Sequence, residues 1–285
     1  MKGAYFMKIK IITDSLSDIP KEVAQKYDIC VLPLKVRFGE VEYEDQVTIT
    51  IDEFFEKLEK STELPKTAQV IPSAYIEKIE KYLSEGYEII IINGSSKVSG
   101  THQSALIAKD ATDPEKVHVI DTLSLSYGCG MMAVEAARMA KEGKTKEEII
   151  EKINSMIDRV EVLFSVETLE YLKKGGRLSP AKAMIGNLLN LKPILHIEGG
   201  EIEVMDKVRG SKKIIRKMID MCRSMSLDGK IGSITLIHGK NEKSFEKMKE
   251  EVREELKPVE ILESRIGPTI GTHTGPSLIG IIFLK

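Results

Sequence analysis

Tyr87-Glu88-Ile89-Ile90-Ile91-Ile92-Asn93-Gly94-Ser95-Ser96-Lys97-Val98-Ser99-Gly100-Thr101 is the stretch on which the fold turns. Four consecutive β-branched apolar residues fit a strand buried on both faces, and such strands occur mostly in parallel sheets covered by helices. The polar loop that follows then falls at the carboxyl edge of a sheet, where open α/β folds bind their ligands. That edge carries hydroxyls, small residues and a helix start, whose free N–H groups attract an anion. The stretch predicts an α/β protein with a site for a group bearing negative charge.

On either side, strands and helices alternate. Lys8 to Thr13 reads as a strand, and Asp14-Ser15-Leu16-Ser17-Asp18-Ile19-Pro20 offers a cap and a proline at a helix start leading to Val23 to Tyr27. Val31 to Phe38 and Val41 to Tyr43 read as strands about the Gly39-Glu40 turn, and Ser61 to Pro72 as a loop holding Thr67-Ala68-Gln69. Helices are predicted over Glu53 to Lys60, Ser73 to Glu85, Gln103 to Lys109, Ser126 to Glu142 and Lys146 to Val160, the last opened by Thr145 and Glu148 at capping-box spacing. In the second half, Gly175-Gly176 supplies a left-handed helix stop, Ser179-Pro180 opens an apolar helix over Ala181 to Leu189, and Glu198-Gly199-Gly200 joins a hairpin. Gly267 to Pro276 reads as a glycine-rich loop before a terminal strand, Leu278 to Leu284. The pattern divides near Val160 into an N-terminal parallel-sheet domain, 1–160, and a smaller α/β C-terminal domain, 161–285.

Composition narrows the function. With 42 Lys plus Arg against 44 Asp plus Glu, the formal charge of −2 gives no long-range field for nucleic acid or an anionic membrane. Cys30, Cys129 and Cys222 are odd in number and lack metal-ligand spacing, which fits a reduced, cytoplasmic compartment and no metal site. No apolar run approaches the roughly 18 to 20 residues that cross a bilayer, so no integral membrane segment is expected. Met1 to Phe6 reads as an upstream start or a loose extension, outside the argument.

Four polar segments stand where apolar elements stop: Asp14-Ser15, Thr67 with Gln69, Ser95 to Thr101, and Thr272-His273-Thr274. Each offers hydroxyls or amides, a composition suited to holding a ligand, while the same groups also serve as helix caps. A Ser/His/Asp hydrolase can be assembled on paper from Ser96, His273 and Asp14, although no Gly-x-Ser-x-Gly elbow occurs. Neither Gly-x-Gly-x-x-Gly nor Gly-x4-Gly-Lys-Ser/Thr is present. Arg177 follows Lys173 and Lys174 and is either a dipole complement or a functional cation. His118 and His196 read as structural, His102 and His238 stay open, and His273 is the better ligand candidate because threonines and glycines surround it.

Thr13-Asp14-Ser15 with Asp18-Ile19-Pro20, Ser95 to Ala105, Lys174-Gly175-Gly176-Arg177-Leu178-Ser179, Lys207-Val208-Arg209-Gly210 and Thr272 to Pro276 together closely resemble the DegV family, in order and over nearly the whole chain. The resemblance implies a two-domain α/β protein that binds one long-chain fatty acid between its domains. It also implies the acyl-carrying subunit of bacterial fatty acid kinase, whose separate ATP-binding subunit phosphorylates the bound carboxylate. Carried over, Thr67, Ser95, Ser96 and His273 look like carboxylate contacts, with Ser96 preferred of the serine pair, and Thr272 and Gly100 accompany them. Arg177 looks like the arginine of kinase docking and phosphoryl transfer, and Arg209 like a second basic position. One departure is visible: Thr67-Ala68-Gln69-Val70-Ile71-Pro72-Ser73 replaces the usual serine after the threonine and inserts residues before the proline.

The reading is therefore a lipid carrier with no catalytic residue and no cofactor beyond the bound fatty acid. Met184 and Ile185 on the apolar helix, with Met131, are its candidate tunnel lining, where flexible thioethers fit variable chains. Transient membrane contact is left open. The alternative is a Ser/His hydrolase or acyltransferase using Ser96 and His273 on a small acyl ester.

Overall fold

The computed structural model describes residues 8–178, 191–210, 213–226 and 231–285. The chain divides into two compact units, residues 1–34 with 68–158, and residues 35–67 with 159–285.

The first unit contains β1 (Lys8–Asp14), α1 (Lys21–Tyr27), β2 (Cys30–Leu32), α3 (Pro72–Ser84), β6 (Tyr87–Asn93), α4 (Thr101–Ala111), β7 (Val117–Asp121), α5 (Tyr127–Lys141) and α6 (Lys146–Ile157). Its four strands form one parallel sheet in the order β2-β1-β6-β7. Ile89, Ile90, Ile91 and Ile92 are fully buried in it, as an all-apolar central strand requires. Helix α3 packs with α4, and α5 with α1 and α6. The capping box at Thr145 and Glu148 forms and starts α6. The connections leave β1 and β6 in opposite directions along the sheet, so the crevice at Asp14 and Asn93 is a topological switch point.

The second unit opens with β3 (Lys35–Phe38), β4 (Val41–Glu44), α2 (Ile51–Lys60) and β5 (Lys66–Ala68), whose strands order β4-β3-β5. It continues with β8 (Val160–Ser165), α7 (Glu170–Lys174), β9 (Leu191–Glu198), β10 (Glu201–Arg209), α8 (Ile214–Met225), β11 (Ser233–His238), α9 (Glu242–Leu256), β12 (Glu260–Arg265), α10 (Pro268–Thr274) and β13 (Ile279–Leu284). A mixed sheet runs β10-β9-β8-β13-β11-β12, antiparallel except for the β11–β12 pair. Gly199 and Gly200, at φ +56° and +87°, make the two-residue turn between β9 and β10. Ile214, Ile215, Met218, Ile219 and Cys222 form the buried stripe of α8, packed with Leu236, Phe245, Met248 and Phe283.

Four features differ from the sequence expectation. The run from Val31 to Phe38 is two strands, because Pro33 has no N–H for a ladder, and its halves enter different sheets. The segment 35–67 consequently belongs with the second unit instead of lying wholly within 1–160, which makes that unit the longer of the two. The stretch Ser61 to Pro72 contains β5, and Gly267 to Pro276 contains the helix α10. The predicted helix Ala181 to Leu189, with Met184 and Ile185, lies outside the described residues.

Candidate functional site

Two short helices and a short strand of the second unit build a cavity of about 770 Å³. Helix α7 ends at a glycine pair. Gly176, at φ +72°, lets the chain turn so that Arg177 N and Leu178 N donate to the Leu172 carbonyl at 2.9 and 3.2 Å. Gly175 has an ordinary φ and is needed for space: a Cβ there would stand 2.3 Å from His273 Nδ1 and 2.9 Å from the Tyr171 carbonyl oxygen.

Helix α10 forms despite its glycine and threonines because its surroundings hold it. Pro268 occupies the first turn, and Asp45 Oδ2 accepts from Thr269 N at 3.0 Å. Thr272 and Thr274 donate their hydroxyls to the Pro268 and Ile270 carbonyls at 2.9 and 3.0 Å. Gly271 lies flush against α2, where a Cβ would meet Phe54 Cε1 at 2.6 Å. His273 emerges from the last turn, with Nε2 hydrogen-bonded to Thr67 Oγ1 of β5 at 2.8 Å. Thr67, Thr272, His273, Arg177, Lys66 and Lys174 all line the cavity.

The electrostatics suit an anion. Arg177 Nη1 donates to the Gly175 carbonyl at 2.7 Å, which sets the guanidinium beside the imidazole. Burial, with that charge next to it, pushes His273 down to about 3, so its ring is neutral at ordinary pH. Burial also lowers the Arg177 guanidinium from its usual value. Lys174 is engaged by Glu170 at 2.5 Å.

In the first unit, the polar edge is densely self-bonded. Buried Asp14 accepts from Leu16 N at 2.9 Å and from Asn93 Nδ2 at 2.8 Å, with Gly94 N at 3.4 Å, and Asn93 Nδ2 also reaches Tyr75 Oη at 2.7 Å. Burial raises Asp14 to about 6. Ser95 is buried, its Oγ accepting from Lys97 N and its N donating to the Ser124 carbonyl. Ser96 is exposed, its N held by Asp121 Oδ1 at 3.2 Å. Gly100 is exposed and leaves room for Gln69, whose Oε1 would lie 1.9 Å from a Cβ there and whose Nε2 donates to Ser104 Oγ at 2.8 Å. The hydrolase alternative gains no support: Asp14 is spent on Leu16, Asn93 and Gly94, and His273 Nε2 is engaged by Thr67.

The family model described as "Uncharacterised protein, DegV family" matches residues 8–285. The chain belongs to the DegV family. A DegV domain-containing protein of Caldanaerobacter subterraneus is 41% identical over 97% of this chain and 98% of its own. A protein of Thermotoga maritima named Fatty acid-binding protein is 33% identical over 96% of each chain. The solved structure of a DegV family protein from Thermus thermophilus, described by its fatty acid binding, superposes at TM-score 0.91 with 32% identity, covering 98% of this chain and all of that one.

Within this DegV chain, Thr67, Thr272, His273 and Arg177 come together on one cavity of the second unit, while Ser95, Ser96 and Gly100 sit on the edge of the first. Arg209 ends the edge strand β10, exposed and outside the cavity lining. Met131 is half-buried on α5, next to the fully buried Met132. Sequence reasoning missed Gly175 as a space-maker, and Asp45, Phe54 and Phe55 as the seat of α10. Only the doubled glycine before Arg177 carried a signal, and it read as a turn. Among the described residues no group of three or more His, Cys, Asp or Glu could hold a metal ion, and no helix is long and apolar enough to cross a membrane.

Proposed function

We propose that this protein binds a long-chain fatty acid and presents its carboxylate to a separate ATP-binding kinase subunit for acyl-phosphate formation, in the cytoplasm. The observation that carries the reading is the Thr67–His273 pair beside Arg177 on an open cavity, in a chain whose DegV relatives include named fatty acid binders. Thr67 and His273 hold the head group, and the exposed Ser96, rather than the buried Ser95, is the serine available to a ligand. The tail supplies affinity, at about 0.8 kcal/mol for each methylene removed from water before the costs of association. The segment Ala181 to Leu189, with Met184 and Ile185, and Met131 are its proposed contacts. The kinase step and the roles of Arg177 and Arg209 in it rest on the family resemblance.

Mass spectrometry of lipid extracted from protein purified from cells tests the binding: a stoichiometric fatty acid is expected, and a different amphiphile or none contradicts it. With the cognate kinase subunit, Arg177→Ala is expected to retain lipid and lose most acyl-phosphate formation. Loss of both together would contradict that division of labour.

A further inference from the structure

The contact of Thr67 with His273 leaves open which partner holds the proton, and that choice decides the head group the cavity accepts. A neutral imidazole carries one N–H and one lone pair. His273 Nδ1 is buried with no hydrogen-bond partner among the described residues. It faces Gly175 so closely that a Cβ there would stand 2.3 Å away. A buried N–H without an acceptor is the rarer orphan, and an unused lone pair is better tolerated. The Arg177 guanidinium, held on the Gly175 carbonyl, adds positive charge on this side, which favours a lone pair over an N–H. Both observations put the lone pair on Nδ1 and the proton on Nε2.

The consequence passes to Thr67. Across the 2.8 Å contact, Nε2–H then donates to Oγ1, and the single hydroxyl proton of Thr67 is left over. Both residues line the cavity, where three cations, Lys66, Lys174 and Arg177, stand against two carboxylates, Glu63 and Glu170.

We propose that His273 is a positioning residue, fixed as the Nε2–H tautomer, which turns the Thr67 hydroxyl proton into the cavity so that the site selects an ionised, acceptor-only head group over a neutral alcohol. This rests on the fatty-acid reading above and adds to it the ionisation state of the ligand. The opposite tautomer makes Thr67 an acceptor and selects a protonated head group. The depression of His273 to about 3 fits the same picture, since a ring that stays neutral can orient a hydroxyl without itself pairing with the head group's charge.

The test uses the full chain, labelled with nitrogen-15. Two-bond proton–nitrogen correlations of the His273 ring, assigned by their loss in His273→Gln, read the tautomer directly. Protonated Nε2 is expected, and protonated Nδ1 overturns the proposal. Palmitate and hexadecanol are then compared as ligands. Thr67→Val is expected to weaken palmitate roughly ten- to hundred-fold, the worth of a hydrogen bond to a charged group, and to change hexadecanol little. His273→Gln, whose amide N–H reaches the place of Nε2, keeps the preference for palmitate, and His273→Ala loses it. Equal weakening of both lipids by Thr67→Val, or equal behaviour of the Gln and Ala variants, overturns the proposal. A wild type that binds neither lipid sinks the fatty-acid reading, while the ring spectrum still decides the tautomer.

Discussion

At the carboxyl edge of the first unit, Asp14 accepts from Leu16, Asn93 and Gly94, Ser95 Oγ accepts from Lys97, and Asp121 accepts from Ser96 and Leu123. In the cavity of the second unit, a neutral histidine and a threonine hold each other and line open volume. The first centre is rich in hydroxyls and acids, and its Asp14, Ser95 and Asp121 oxygens accept mainly from neighbouring backbone N–H groups. The second is poorer in them, yet its groups face space beside a cation. The number of polar residues in a loop is thus a weaker sign of a ligand site than the balance each side chain has left after the fold has taken its share.

Several changes would break or sharpen that contrast. The largest effect is expected from Phe54→Ala, which removes the seat of Gly271: about 3 to 5 kcal/mol of stability by urea titration, with weaker palmitate binding in the molecules that remain folded, because α10 carries His273. Unchanged palmitate affinity would show that α10 needs no such seat.

Next comes pH, where the two centres have opposite signs. Asp14, raised to about 6, takes its proton in the folded chain before the unfolded one, so the fold gains as pH falls from about 6 toward 4, by roughly 3 kcal/mol in full. His273, lowered to about 3, refuses a proton that the unfolded chain accepts near 6.5, so the fold loses as pH falls from about 6.5 toward 3. Urea midpoints between pH 6.5 and 4 should therefore move in favour of wild type relative to Asp14→Asn, and against wild type relative to His273→Gln. The same sign in both comparisons would erase the distinction. The smallest effect separates the serine pair. Ser95→Ala is expected to cost about 1 kcal/mol, whereas Ser96→Ala stays within about 0.5 kcal/mol and acts on palmitate affinity instead.

Much of this was legible in the residues. The run Ile89 to Ile92 announced a central parallel strand, Thr145 with Glu148 announced the start of α6, and Gly199-Gly200 announced the hairpin, because each signal is local and has one cheap structural solution. Helix α10 was not legible. Its glycine and threonines have poor intrinsic helix propensity, and what holds it comes from Asp45, Phe54 and Phe55, more than two hundred positions away in sequence. The same distance hid the passage of 35–67 into the second unit. Within the candidate site, the residue types at Thr67, His273 and Arg177 were readable, but their convergence was not, since no spacing rule links β5 to α10. Ser95 and Ser96 looked alike in sequence and part only on burial, which the neighbouring Asp121 and Ser124 decide.

A crystal structure of the palmitate complex tests the central claim most directly. A carboxylate oxygen is expected within hydrogen-bonding distance of Thr67 Oγ1, with His273 Nε2 still on the far side of that hydroxyl. A carboxylate held at the Asp14–Ser95 edge, with Thr67 and His273 untouched, would contradict it.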